Sequence, residues 1–282
     1  MSLETIYIVR HGFRSGWTVD PIAGTYTAHV RSPTGIAADP ALTAHGVDQA
    51  NELATHLLTV HPAIEKVYSS PYYRCLQTIN PFVQLRREQS KGTLNVDHTI
   101  RAEHGLSEWF GSAPFDHPRP APIATLKGMF PSLDETYKSL VIPEQTGESL
   151  IELYARTSRA LRAVIAQCDA EGVKSIVICS HAAAIIAMGR VLTGQIPEDP
   201  EDDDFKAFTC GLSVYRRANA STAKASIQQK DESRSAAIGG WKCEANSDCS
   251  FLSHGEERGW KFAGDEAFPG TGSLTQADDA KL

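Results

Sequence analysis

Ile6-Tyr7-Ile8-Val9-Arg10-His11-Gly12 is the stretch whose reading decides the fold of this chain. Its apolar part does not alternate with polar residues, as expected of a parallel strand covered on both faces. The abrupt change to Arg-His-Gly places polar groups at the carboxyl end of that strand, where open α/β sheets bind their ligands. A second run of the same kind, Ser175-Ile176-Val177-Ile178-Cys179, ends in Ser180-His181. Two buried strands that each end in a histidine point to an open α/β sheet that carries its ligand at the strand ends.

Working outward, residues 15 to 41 mix proline, glycine, serine and threonine without periodicity and read as a long loop over the strand ends. Thr43 is placed to cap a helix that carries Val47, Ala50, Leu53, Ala54, Leu57 and Leu58 and ends near His61-Pro62. Lys66-Val67-Tyr68-Ser69 reads as a strand. Ser70-Pro71 then opens a helix through Arg74, Thr78 and Phe82, since proline is tolerated in a first helical turn. A short strand is expected around Ile100 to Glu103. Residues 112 to 146 are rich in proline and read as an irregular, lid-like insertion. Gly147-Glu148-Ser149 starts a helix that runs to about Cys168, and another covers Ala182 to Leu192. The last strand is expected near Leu212-Ser213-Val214-Tyr215. One domain therefore spans residues 1 to 218. Residues 219 to 270 read as a linker and a tail whose Trp241, Phe251, Leu252, Trp260 and Phe262 pack back on it, and residues 271 to 282 as disordered.

The 282 residues, 41% of them hydrophobic, suffice for a sizeable core. With 27 basic against 34 acidic residues the net charge is −7, which argues against direct nucleic-acid binding. The N-terminal residues lack the pattern of a signal peptide, and no apolar run nears the roughly 18 residues a membrane span needs, so no membrane partner is expected. The scattered cysteines read as reduced, intracellular usage, in cytoplasm or nucleus.

The chemistry follows from the strand ends. Arg10, Arg14 and Arg74 are forked, permanently charged donors suited to a phosphate dianion. His11 or His181 could accept a phosphoryl group, and Glu103, at the end of a predicted strand, could supply a proton to a leaving oxygen. Cys243, Cys249 and His254 lack the paired spacing and fourth ligand of a zinc site. Glu201-Asp202-Asp203-Asp204 reads as a solvated loop, and His29, His45, His61, His98 and His117 read as surface residues.

Taken in order, five segments resemble the histidine phosphatase superfamily, also called phosphoglycerate mutase-like. They are Ile8 to Gly12, Leu42 to Ala50, Tyr68 to Thr78, Gly147-Glu148-Ser149 and Cys179 to Ala182. The resemblance covers residues 5 to about 216 and implies an α/β fold, a doubly wound, mostly parallel sheet flanked by helices, and a metal-independent, cofactor-free phosphomonoesterase that works through a phosphohistidine. It implies that His11 is the nucleophile, that Arg10, Arg74 and His181 hold the phosphoryl oxygens, that Arg14 is the second arginine of an Arg-His-Gly-x-Arg motif, and that Glu103 is the proton donor. The family's mutases have serine and asparagine at positions 14 and 17. Arg14 and Trp17 stand here, which favours a phosphatase. Phe13 and Trp17, with Tyr26 and Trp109, suggest an aromatic rim for an aryl or bulky phosphate, on a small molecule or a phosphoprotein.

The segment Ile100 to Trp109 is similar to that of the family's protein-tyrosine-phosphatase-like members. The tail from Trp241 to Arg258 is similar to that of fungal members related to a subunit of transcription factor tau. That likeness implies an alternative, a catalytically weak or inactive module serving as an interaction subunit of a transcription complex.

Overall fold

β1 (Thr5–Arg10) is buried along its whole length, and its side chains alternate between two cores. Ile6 and Ile8 enter one core and Tyr7 and Val9 the other, as the period of two of an extended strand requires. The computed structural model that shows this describes residues 1–20, 22–91, 96–113, 115–218 and 236–262. β1 pairs in parallel with β6 (Ser175–Ser180), with Thr5 opposite Ser175 and Arg10 opposite Ser180. That register sets Arg10-His11 and Ser180-His181 side by side at one sheet edge.

Around this pair lie β4 (Lys66–Ser69), β5 (Ile100–Ala102), β7 (Leu212–Arg217) and β8 (Trp241–Asp248), in the order β5-β4-β6-β1-β7-β8. The first four strands of that order run parallel, β7 pairs antiparallel with β1, and β8 pairs antiparallel with β7. Helices α1 (Ala44–Leu57) and α2 (Tyr73–Gln89) cover one face, where Leu53, Leu57, Leu76, Ile79 and Phe82 pack with Tyr7, Val9 and Val177. Helices α4 (Leu150–Glu171) and α5 (Ala182–Thr193) cover the other, where Leu153, Leu161, Val164, Ile185 and Val191 meet Ile6, Ile8, Ile176 and Ile178. The protein is an α/β sandwich with a mostly parallel central sheet.

Local signals account for two of the helix starts. The Thr43 side chain caps α1 by accepting from the Gly46 amide, and Ser149 with Glu152 forms a full capping box on α4. Three expectations need correction. Residues 15 to 41 are not all loop, because Trp17–Asp20 (β2) and Thr25–Ala28 (β3) form an antiparallel hairpin. Residues 112 to 146 include a short helix, Ile123–Met129 (α3). β7 is not the last strand: β8 pairs with it across a bulged register, and Leu252 and Phe262 beyond β8 are buried in the two cores. The expected linker over residues 219 to 235 and the expected disorder over 271 to 282 lie outside the described residues. All six cysteines are free thiols. Among the described residues no helix is long and apolar enough to cross a membrane.

Candidate active site

The site is assembled from four strand ends and helix starts. The end of β1 supplies Arg10 and His11, and the end of β6 supplies His181, which is also the N-cap of α5. The first turn of α2 supplies Arg74, and the loop after the short 3-10 turn His104–Leu106 supplies Glu108. The two histidine rings lie edge to face with centroids 5.4 Å apart. The turn after His11 has no room for side chains. A Cβ on Gly12 would come within 2.8 Å of the Gly46 carbonyl, and one on Gly46 within 1.9 Å of the Phe13 carbonyl. These two glycines let α1 press directly on the turn.

His11 is buried, and its Nδ1 lies 2.9 Å from the Gly12 carbonyl oxygen. A carbonyl can only accept, so Nδ1 carries the proton and the Nε2 lone pair is left for chemistry. Burial, together with Arg74, Arg10, His181 and Arg14, pushes the imidazole pKa well below its ordinary 6.5. A neutral, oriented imidazole is the nucleophilic form. His181 is also buried, but its pKa is raised, because Cys75 and Glu108 outweigh the effect of burial. Its Nδ1 lies 3.2 Å from Glu108 Oε2 and its Nε2 2.8 Å from Ser70 Oγ, two acceptors for an imidazolium.

Arg74 is entirely buried and donates to the Ala38 carbonyl, to Asp39 at 3.2 Å and to Glu108 at 3.0 Å. The Arg14 guanidinium lies 3.8 Å from the centre of the Trp17 ring. Arg10 is buried, which pulls its pKa down to about 10, and it donates to the Ala207 carbonyl at 2.6 Å and to that of Arg258. Buried Nε atoms of Arg10 and Arg74 have no hydrogen-bond partner among the described residues. Unspent buried donors of this kind call for an acceptor. The pocket against His11 is completed by Arg14, Glu108, Trp109, Trp260, and Ala182 and Ala183 at the start of α5, where a helix favours negative charge.

Ligand atoms of His11, Glu108 and His181 lie within 4.8 Å of one another, a grouping that could in principle hold a metal. Arg10, Arg14 and Arg74 press on the same space and oppose a cation there, so the donor set suits an oxyanion. Among the described residues this is the only such grouping, and Cys243, Cys249 and His254 form none.

Three expected site residues stand elsewhere. Glu103 is completely buried and away from the pocket. Its carboxylate accepts from Tyr137 and Ser139 hydroxyls and from the Gly105, Leu140 and Val141 amides. Glu108, five residues later, is the carboxylate at the site. Burial would raise its pKa, but His181, Arg74 and Arg14 hold it far below the usual carboxylate range. Glu103 stands directly after β5, where local sequence points to an acid, whereas the 3-10 turn carries the chain on and returns Glu108 to the histidines. Trp17 is buried behind Arg14, and Phe13 lies 3.9 Å under the Arg258 guanidinium, so neither forms an aromatic rim on the pocket. That wall comes from Trp109 and Trp260. His117, expected at the surface, is buried and bonded to Tyr26. On its other side Glu108 borders a larger cavity of about 160 Å³, whose walls include Tyr72, Phe110 and Arg119.

The model of the histidine phosphatase superfamily (branch 1) matches residues 6–229. The chain belongs to the histidine phosphatase superfamily. Within it, the chain is 31% identical over 276 residues to the transcription factor tau 55 kDa subunit of Saccharomyces cerevisiae, covering 93% of this chain and 59% of that protein. It is 26% identical over 215 residues to the ecdysteroid-phosphate phosphatase of Drosophila melanogaster, covering 70% of this chain and 28% of that protein. The crystal structure of the Bombix mori ecdysone phosphate phosphatase in complex with tungstate superposes with a TM-score of 0.55 at 23% identity, over 76% of this chain and 89% of that one. The last likeness shows that this superfamily member shares the sandwich fold. The chain thus spans less than two thirds of the length of both sequence relatives.

Proposed function

We propose that this superfamily member is a metal-independent phosphomonoesterase that forms a phosphohistidine on His11. The observation that carries the reading is a buried imidazole, fixed through Nδ1, with Arg10, Arg14, Arg74 and His181 around it. His11 Nε2 attacks phosphorus as the P–O bond to the leaving group breaks, and the guanidinium groups spread the charge of the equatorial oxygens. His181, Arg74 and Arg14 face Glu108 and hold it in its ionised form. An incoming phosphate dianion offsets those cations and raises the carboxyl's proton affinity, which suits it to protonate the leaving oxygen. Water then attacks the phosphohistidine, Glu108 takes its proton, the N–P bond breaks and inorganic phosphate leaves.

The walls of Tyr72 and Phe110 beside Glu108 favour an aryl or otherwise bulky leaving group, including phosphotyrosine. The purified protein is expected to hydrolyse an aryl phosphate with EDTA present, and His11→Ala to abolish this. Equal rates from the two proteins would sink the reading.

A second reading rests on the likeness to the transcription factor tau subunit, which spans nearly the whole chain. In it the fold serves as an interaction subunit of a transcription complex in the nucleus, with little or no turnover. Isolation of the tagged protein from cells with no stable large partner would count against it.

A further inference from the structure

Arg10 is gripped from two directions by chain that is far from it in sequence. Its Nη1 donates to the carbonyls of Ala207 and Arg258, and its own carbonyl accepts from the Cys210 amide. Cys210 and Arg258 both hold positive φ angles, 55° and 50°. Among the described residues only Ser247 joins them as a non-glycine in that region. Such backbone strain persists only where surrounding contacts enforce it, and it gathers at functional sites.

For Arg258 the enforcing contacts run through Glu257. The Glu257 carboxylate accepts from Gln49 Nε2 and pairs with His45 Nε2, each at 2.6 Å, and its carbonyl accepts from the Thr209 amide at 3.0 Å. Gln49 Oε1 in turn accepts from the Phe13 amide at 2.9 Å, two residues after His11. The tail is therefore tied at one residue to α1, to the 207–210 loop and to the turn of the nucleophile, and it delivers its next carbonyl to Arg10.

We propose that Glu257 is a positioning residue, and that through the Arg258 carbonyl it sets Arg10 to bind a tetrahedral oxyanion. This rests on the phosphate-site reading above and extends the site to the C-terminal segment. With one guanidinium nitrogen committed to two fixed carbonyls, Arg10 is spared the ordering cost at the moment of binding.

The test is calorimetric binding of inorganic tungstate, run beside aryl phosphate hydrolysis, on the 282-residue chain. Glu257→Ala is expected to weaken tungstate at least about tenfold and to raise KM more than it lowers kcat, as loss of a supporting contact does. Glu257→Gln keeps the shape and one acceptor, and is expected to lose only about threefold. Near-wild-type melting temperatures for both separate positioning from a general loss of structure. Wild-type tungstate affinity in both variants overturns the proposal, and so does wild-type affinity in Glu257→Gln if Glu257→Ala does not fold. Graded tungstate loss in a chain that hydrolyses nothing upholds the positioning role and defeats the phosphatase reading. Hydrolysis with flat affinities does the reverse, and no tungstate binding by the wild type defeats both.

Discussion

Glu103 and Glu108 differ in environment more than in position. Glu108 faces cations, whereas Glu103 accepts from the Tyr137 and Ser139 hydroxyls and from the Gly105, Leu140 and Val141 amides. Glu108→Gln is expected to lower kcat on an alkyl phosphate by roughly 10²–10⁴-fold, the usual worth of a positioned general acid. Glu103→Leu is expected instead to cost stability, since buried donors are left unpaired at about 1–3 kcal/mol each. A urea midpoint left unchanged by Glu103→Leu would contradict this. The lowered pKa of His11 also sets the acid side of the activity. An imidazole is nucleophilic only above its pKa, and a value depressed below 6.5 keeps it so into acid. The acid limb of kcat/KM is therefore expected below pH 6.5, and a limb at or above that value would contradict the neutral, buried His11.

At the scale of elements, α4 holds the Glu108 loop. Arg156, buried in this helix, pairs with Glu148 at 2.7 Å and donates to the Gly105 and Ser107 carbonyls at 2.9 and 3.0 Å. Arg156→Met strands a buried carboxylate and frees that loop. The expected cost is about 3–5 kcal/mol, read by chemical denaturation, with kcat falling in whatever protein remains folded. The contact between α1 and the His11 turn is equally direct. Gly46→Ala would put a methyl group on the Phe13 carbonyl. It is expected to impair tungstate binding and turnover even though alanine favours the helix itself, and wild-type turnover would show that the turn yields without consequence.

At the scale of the molecule, the legible and illegible parts divide by range. Buried strands, caps and the histidines ending β1 and β6 were readable because each rests on a few adjacent residues. The 17–28 hairpin was not, since its strands are short and half exposed, with patterns no stronger than those of a loop. β8 was missed for a similar reason, as charged Lys242 and Glu244 alternate along an edge strand. Trp260 and Glu257 carry no local signal for a site, because only the return of the tail over β7 brings them to Arg10 and to α1.

What the sequence determined by itself is the framework: an α/β sheet with Arg10, His11, Arg74 and His181 at the carboxyl ends of strands and the starts of helices. Those positions follow from local rules, which hold wherever the rest of the chain goes. Tertiary structure alone decided which carboxylate meets the histidines, what lies behind each arginine and what closes the pocket. These depend on residues tens to hundreds of positions apart, whose meeting is set by how the two cores pack and not by any neighbour in sequence.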